Sequence, residues 1–119
     1  PALVFVSRRI NDLGTIYWDV PKDMAGVGPH SRFRPAAPGR LLVREPSGAI
    51  RTLIDGTRPS AATLNLIDVN APDVSYDGKT IVFAGLTAGK HPDGQGAHPG
   101  AWRLYLIGAD GSGLRQLTT

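Results

Sequence analysis

Two histidines and an aspartate in the second half of the chain are the residues best suited to bind a metal ion. His91 and His98 lie in one segment with Asp93 between them, and imidazole and carboxylate groups are ligands for transition metals. The surrounding segment, residues 85–100, is rich in Gly, His and Pro and supplies no side chains that would orient such ligands. The composition therefore favours an exposed loop, and we predict neither a metal site nor a cofactor.

Other patterns that could do chemistry are also incomplete. No serine lies in a Gly-x-Ser-x-Gly elbow, and none shares a triad pattern with a His and an acid. The Gly-x-Gly sequences that begin at Gly26 and Gly94 are not followed by the strand-to-helix transition of a nucleotide site. Asp77-Gly78 and Asp110-Gly111 lack the alternating acidic ligands of a calcium loop and are predicted to be turns. We therefore predict no catalytic residue in this chain.

A long irregular segment in the first half, residues 10–39, is the best candidate for a binding site. It combines aromatic and arginine residues, which are enriched at binding hot spots. A structureless connection of this length inside a compact domain is usually functional or disordered. The alternative is that its aromatic side chains cover an exposed sheet face while its arginines are solvated. The candidate partner-binding or ligand-binding residues are Tyr17, Trp18, His30, Arg32, Phe33 and Arg34.

The composition narrows the class of protein. The 119 residues include 15 Gly and 10 Pro, and 41% are hydrophobic, which favours many tight turns around a packed core and suggests an all-β fold. The absence of Cys excludes disulfides, thiolate zinc sites and covalent haem attachment within the chain. The net charge is +3, but the basic residues are scattered, so nucleic-acid binding is not expected. No apolar run is long enough to span a bilayer.

Hydrophobic runs of strand length recur along the chain. The run at 2–7 is apolar on both faces, which predicts a strand that is covered on both sides. Residues 72–83 predict a hairpin, because Asp77-Gly78 suits a two-residue turn with positive φ. Residues 60–67 fit either one helical turn or an extended stretch. The predicted strands are 2–7, 40–45, 49–54, 73–76, 80–84, 102–108 and 114–118.

The two halves of the chain resemble each other. The matching segments are 3–7 with 81–85, 40–43 with 103–106, and 47–53 with 110–117, the last pair with one residue of slack. Units of about fifty residues with up to four antiparallel strands have the dimensions of β-propeller blades. In such a blade the middle strands are expected to be buried on both faces against neighbouring blades.

The second unit carries the motif P-x-x-S-Y-D-G-K-x-I-V-F at 72–83, followed by L-Y-L-I-x-A-D-G-S-x-L-R-Q-L-T at 104–118. This resembles the WD40-like Pro-Asp repeat of TolB-type propellers, with Tyr76 where that family usually has Pro and Val74 where it usually has an aromatic. A weaker resemblance is to the propeller-bearing middle domain of hydrazine synthase alpha subunit-like proteins. The resemblance implies a propeller of several blades and a periplasmic or secreted bacterial location.

These observations predict about two blades, of which the first lacks its inner strand. Residues 1–56 form a partial blade with the insert 10–39, residues 57–70 form a linker, and residues 71–119 form a complete blade. We expect a non-catalytic interaction scaffold within a larger protein, whose partner is another protein or the remaining blades. Alternatively, the chain is the propeller domain of a larger enzyme, a prolyl-oligopeptidase-like peptidase or a haem protein, with its active site elsewhere. If the chain is complete, it is expected to oligomerise.

Overall fold

The computed structural model describes residues 1–8, 38–90, 97–99 and 102–119. These residues form two antiparallel sheets and contain one short 3-10 helix but no α-helix. The prediction of an all-β fold is therefore confirmed.

The first sheet has three strands, β1 (Leu3–Arg8), β2 (Gly39–Arg44) and β3 (Ile50–Asp55), which pair in that order. β2 and β3 are joined by the three-residue loop 46–48. In this loop Gly48 has φ +94° and its N–H donates to the carbonyl oxygen of Glu45 at 2.9 Å. A type I turn followed by a left-handed glycine is a common hairpin connection.

The second sheet follows a 3-10 helix at Ala61–Thr63 and has four main strands. These strands pair in the order β4, β5, β7 and β8, while the short β6 pairs with the distal end of β5. The strands are β4 (Leu66–Val74), β5 (Thr80–Lys90), β6 (Ala97–Pro99), β7 (Arg103–Gly108) and β8 (Arg115–Gln116).

The hairpin between β4 and β5 differs from the predicted two-residue turn. Ser75 and Thr80 close a four-residue loop, 76–79, in which Ser75 N–H donates to the Thr80 carbonyl at 2.8 Å. Gly78 has φ +74°, as expected, but Asp77 does not adopt positive φ. Instead, the carboxylate of Asp77 accepts a hydrogen bond from the N–H of Lys79 at 3.0 Å, so this side chain stabilises the turn in place of a second left-handed residue.

Strand structure also extends beyond the predicted bounds. β4 begins at Leu66, so the last residues of the segment assigned to a linker belong to the sheet. β5 continues to Lys90 and β6 occupies 97–99, which are parts of the segment predicted to be a loop. Residues 60–67 are predicted to form either one helical turn or an extended stretch. The segment contains both, because a single 3-10 turn at Ala61–Thr63 is followed by the start of β4 at Leu66.

The core lies between the two sheets. Each sheet contributes one face of alternating apolar residues to it. Phe83 and Tyr105 stack in its centre, with ring centroids 5.7 Å apart. The buried core residues are Leu41, Val43, Ile54, Leu66, Val69, Ile81, Phe83, Tyr105 and Ile107.

Within the described residues β1 is covered on one side, whereas the sequence predicts cover on both. Val4 and Val6 pack against the core, whereas Leu3 is 55% exposed. The middle strands likewise bury only one face, since Leu104 of β7 is exposed while its neighbour Tyr105 is buried. In both strands the apolar run includes residues on a second face, and no other described residue covers that face.

Candidate functional site

Strand pairing in the two sheets reproduces the internal repeat residue by residue. Val4 pairs with Val43 in the first sheet, and their equivalents Val82 and Leu106 pair in the second. The third strands agree as well. Thr52 pairs with Leu42 in the first sheet, and their equivalents Gln116 and Tyr105 pair in the second. The loops before these strands are equivalent too, with Gly48 at φ +94° and Gly111 at φ +89°. The three-stranded sheet and strands β5, β7 and β8 are thus two copies of one unit.

Each unit has two faces, which we name by their equivalent residues. The front face carries Leu3, Phe5, Leu42 and Ile50 in the first sheet and Ile81, Phe83, Tyr105 and Leu114 in the second. The back face carries Val4, Val6, Leu41, Val43, Arg51 and Leu53 in the first sheet and Val82, Ala84, Leu104, Leu106, Arg115 and Leu117 in the second. The strand registers give these sets. In the third strands the alignment allows one residue of slack, and the hydrogen bond from Leu117 N–H to the Leu104 carbonyl places Leu117 beside Leu104.

The back face of the first sheet packs on the front face of the second. Leu41 is completely buried, whereas its equivalent Leu104 is 45% exposed. On the opposite faces the order is reversed, because Ile81 is completely buried and its equivalent Leu3 is exposed. In a sandwich related by a two-fold axis, equivalent residues would be buried alike. The two units are therefore stacked front to back, which leaves one apolar back face and one apolar front face uncovered by the described residues.

A hydrogen bond from Arg51 joins the two units at the end of the sheets where the tight turns lie. Arg51 Nη2 donates to the carbonyl oxygen of Ala109, in the turn between β7 and β8, at 3.0 Å. The same guanidinium pairs with Glu45, the residue that follows β2 in its own unit. Arg51 belongs to a back face and Ala109 to the turn of the next unit, so this contact links the two units at the turn end.

A buried ion pair joins the sheets at the opposite end. Arg8 donates from Nε to Oδ1 of Asp68 at 3.1 Å and from Nη2 to Oδ2 at 2.6 Å. Asp68 is completely buried, and its Oδ1 also accepts from Val69 N–H at 2.9 Å. The Arg8 guanidinium lies 5.7 Å from the ring centroid of Trp102, within the range of a cation–π contact. This bidentate pair, together with the Trp102 contact, joins β1, β4 and the residue that precedes β7.

Two glycines allow close backbone packing next to this ion pair. A Cβ on Gly39 would overlap the Asp68 carboxylate, and a Cβ on Gly56 would overlap the carbonyl oxygen of Ile67. Gly56 N–H donates to the Gly39 carbonyl at 2.8 Å, which brings the end of β3 against the start of β2. The backbone is thus packed too closely here for any side chain.

Two long inserts connect to the sheets at this same end: the first is the predicted insert 10–39, and the second is the segment between the end of β5 and Trp102. Arg8 precedes the first insert, and its register partner Gly39 opens the strand after it. Trp102 follows the second insert and lies against Arg8. Among the residues that the structure describes, the other end carries the short loops 46–48, 76–79 and 109–111. The molecule therefore has an insert end and a turn end.

The turns are stabilised by aspartates whose carboxylates accept local hydrogen bonds. The Ser112 hydroxyl donates a hydrogen bond to the Asp110 carboxylate at 2.6 Å, and this bond is the main cause of the lowered pKa of Asp110. A hydrogen bond from the Ser75 side chain likewise lowers the pKa of Asp77. At the insert end, the Thr57 side chain lowers the pKa of Asp55. In the core, burial raises the pKa of Tyr105. The carboxylates act as turn acceptors, in agreement with the prediction that Asp-Gly pairs are structural.

The six residues proposed from the sequence as a binding site, Tyr17, Trp18, His30, Arg32, Phe33 and Arg34, lie outside the described residues, as do His91 and Asp93. Within the described ranges, no group of three or more His, Asp or Glu side chains is arranged to hold a metal ion. The same ranges contain no helix with the length and hydropathy needed to cross a bilayer.

Sequence reasoning missed the ion pair and the open faces. Asp68 lies in the predicted linker 57–70, and Arg8 directly follows the predicted strand 2–7, so neither residue is indicated as part of a site. The open back face could have been found, because the repeat alignment already equates Leu41 with Leu104. Front-to-back stacking then requires one of these two leucines to remain uncovered within two units.

Comparison with protein-family models, with curated proteins and with solved structures finds no match to this chain.

Proposed function

We propose that this chain is a non-catalytic interaction scaffold of the β-propeller type, in which two successive units bind further units of the same kind. The observation that carries the proposal is the opposite burial of equivalent residues in the two sheets. Interfaces of this head-to-tail kind close into rings or continue as open arrays, and repeat proteins gain stability from each neighbouring unit. The resemblance to the TolB-type repeat supports a ring in a periplasmic or secreted bacterial protein.

The insert end is the part of the scaffold proposed to meet a protein partner. Arg8, Asp68 and Trp102 lie where both inserts connect to the sheets. Binding residues are often found on loops that a rigid framework positions. The bidentate ion pair and the closely packed glycines 39 and 56 supply that framework.

The proposal is tested by adding a unit. Leu53 is equivalent to Leu117, so two residues further along the chain Asp55 is equivalent to Thr119. A second copy of residues 56–119 can therefore be joined directly after Thr119, as residue 56 follows Asp55 in the original chain. We expect the extended chain to unfold in one cooperative transition, with a higher denaturant midpoint and a larger m-value than the original chain.

A matched control carries Leu104→Glu in the first copy of the repeated segment only. That leucine is exposed in the original chain and becomes an interface residue in the extended one. In dilute solution the substitution should abolish the gain in midpoint in the extended chain but leave the midpoint of the original chain nearly unchanged. An added unit that unfolds separately, with no gain in midpoint, would contradict the proposal.

A further inference from the structure

The open back face of the second sheet carries the same residue types as the face already buried in the first. Val82, Ala84, Leu104 and Leu106 correspond to Val4, Val6, Leu41 and Val43, all of which pack against the core or belong to it. Leu117, 44% exposed, corresponds to Leu53, which packs against the same core. The surface is thus suited to the kind of front face that the first sheet already covers.

A front face of that kind is present at the other side of the same chain. Phe5 and Leu42 pair across β1 and β2 as Phe83 and Tyr105 pair across β5 and β7. Leu3 and Ile50 extend this open front face, and both are more than half exposed. Each copy of the chain therefore carries both halves of the front-to-back interface, one on each side.

Arg115 indicates how the two halves would meet. It is the equivalent of Arg51, whose guanidinium donates to the Ala109 carbonyl in the turn of the next unit at 3.0 Å. Ala109 is the first residue of its three-residue loop, and Pro46 is the first residue of the equivalent loop in the first sheet. Proline lacks an N–H but keeps its carbonyl oxygen, so Pro46 retains the acceptor that this contact requires.

We infer that one copy of this chain binds a second copy head to tail, with the front face of the first sheet on the back face of the second sheet and Arg115 donating to the carbonyl of Pro46 in the neighbouring copy. The inference rests on the proposed function, because it uses the same front-to-back interface. It also implies an interface weaker than the internal one. In the first sheet the described residues include no counterpart of β4, and Arg44 stands where the second sheet has Ile107.

Sedimentation velocity of the 119-residue chain over a range of concentrations tests the inference with two single variants. Leu104→Glu blocks the back face, and Ile50→Glu blocks the front face. Both positions are exposed in the single copy, so both variants should fold. We expect the unmodified chain to associate and each variant alone to remain monomeric. The Leu104→Glu variant keeps its front face and the Ile50→Glu variant keeps its back face. An equimolar mixture of the two should therefore form a one-to-one pair, which cannot add a further copy because its remaining faces are blocked.

The role of Arg115 is tested separately. Arg115→Ala should weaken association about tenfold, the loss expected for one hydrogen bond from a charged group. Arg58→Ala, at an exposed arginine outside both faces, should leave association unchanged. Equal effects of the two alanine variants would overturn the assignment of Arg115.

Three outcomes would overturn the inference as a whole: an unmodified chain that stays monomeric at every concentration, association that survives in either glutamate variant, or a mixture that does not pair. If any of these occurs while the extended chain still gains stability, only the copy-to-copy contact is wrong. If the extended chain also fails to gain, the proposed function fails with it.

Discussion

The two sheets are built from equivalent residues, yet those residues have opposite environments. Leu41 and Leu104 occupy the same place in the unit, and one is buried while the other faces solvent. Leu3 and Ile81 show the reverse. The sequence pattern of a strand therefore records which faces can be covered, whereas the position of the unit in the stack decides which face is covered.

The largest loss of stability is expected on breaking the Arg8–Asp68 ion pair between the sheets. Asp68→Asn leaves Arg8 without its carboxylate partner at a buried site, and loss of one partner of a buried ion pair costs about 3–5 kcal/mol. Urea unfolding measures this loss of stability. Asp73→Asn, on an exposed position of the same strand, is the control and should cost well under about 1 kcal/mol. Similar values for the two variants would mean that the ion pair does not fasten the sheets.

The next effect tests the comparison itself. Leu41→Ala should lower the free energy of unfolding by about 2–5 kcal/mol, because it opens a cavity between the sheets. Leu104→Ala, at the equivalent residue, should cost about 1 kcal/mol or less, because no cavity forms at a half-open surface. Chemical denaturation in dilute solution gives both values. Equal costs would remove the distinction between the covered and the open back face.

A smaller and equal effect is expected where the two units are alike. Gly48→Ala and Gly111→Ala each place a Cβ on a residue with φ near +90°, which costs about 1–2 kcal/mol. An added Cβ would meet no atom closer than 3.7 Å at either site, so backbone strain alone sets the cost. Asn tolerates this conformation better and should recover part of the loss at both positions. Thermal unfolding of the four variants checks this, and a large difference between the two alanine variants would contradict the equivalence of the loops.

The smallest effect is a dependence on pH. The pKa of Asp110 is lowered in the folded chain from its ordinary value of 3.8, so its ionised form favours the folded state. That contribution is present above pH 3.8 and is lost as the pH falls through the folded pKa. Ser112→Ala removes the main cause of the lowered pKa and should flatten the fall of the denaturation midpoint in acid. Ser112→Thr keeps the hydroxyl and should behave like the unmodified chain, and an unchanged acid slope in Ser112→Ala would argue against the turn hydrogen bond.

The strands and the repeat could be predicted from the sequence because both depend on local patterns. Alternating Val, Leu, Ile and Phe residues set the strands, and the glycines at 48, 78 and 111 set the turns. The four-residue loop at 76–79 was missed because the carboxylate of Asp77 replaces a backbone feature that the Asp-Gly motif suggested.

The ion pair could not be predicted because its partners are far apart in the chain. Arg8 and Asp68 are separated by 60 positions, and nothing local distinguishes Asp68 from an aspartate in a loop. Gly39 is the last residue of the predicted insert 10–39 and Gly56 is the last residue of the predicted partial blade 1–56, and neither position indicates close packing. Their role follows only from the approach of Asp68 and Ile67, which requires the packed structure.

The most direct test of front-to-back stacking is the solvent exposure of methyl groups in equivalent residues, measured in dilute solution by the relaxation that a soluble paramagnetic agent causes. The stacking predicts that the methyl signals of Leu41 and Ile81 are protected, whereas those of their equivalents Leu104 and Leu3 relax strongly. Equal protection of Leu41 and Leu104, together with equal exposure of Leu3 and Ile81, would mean that the sheets meet by the same face, which would contradict the account.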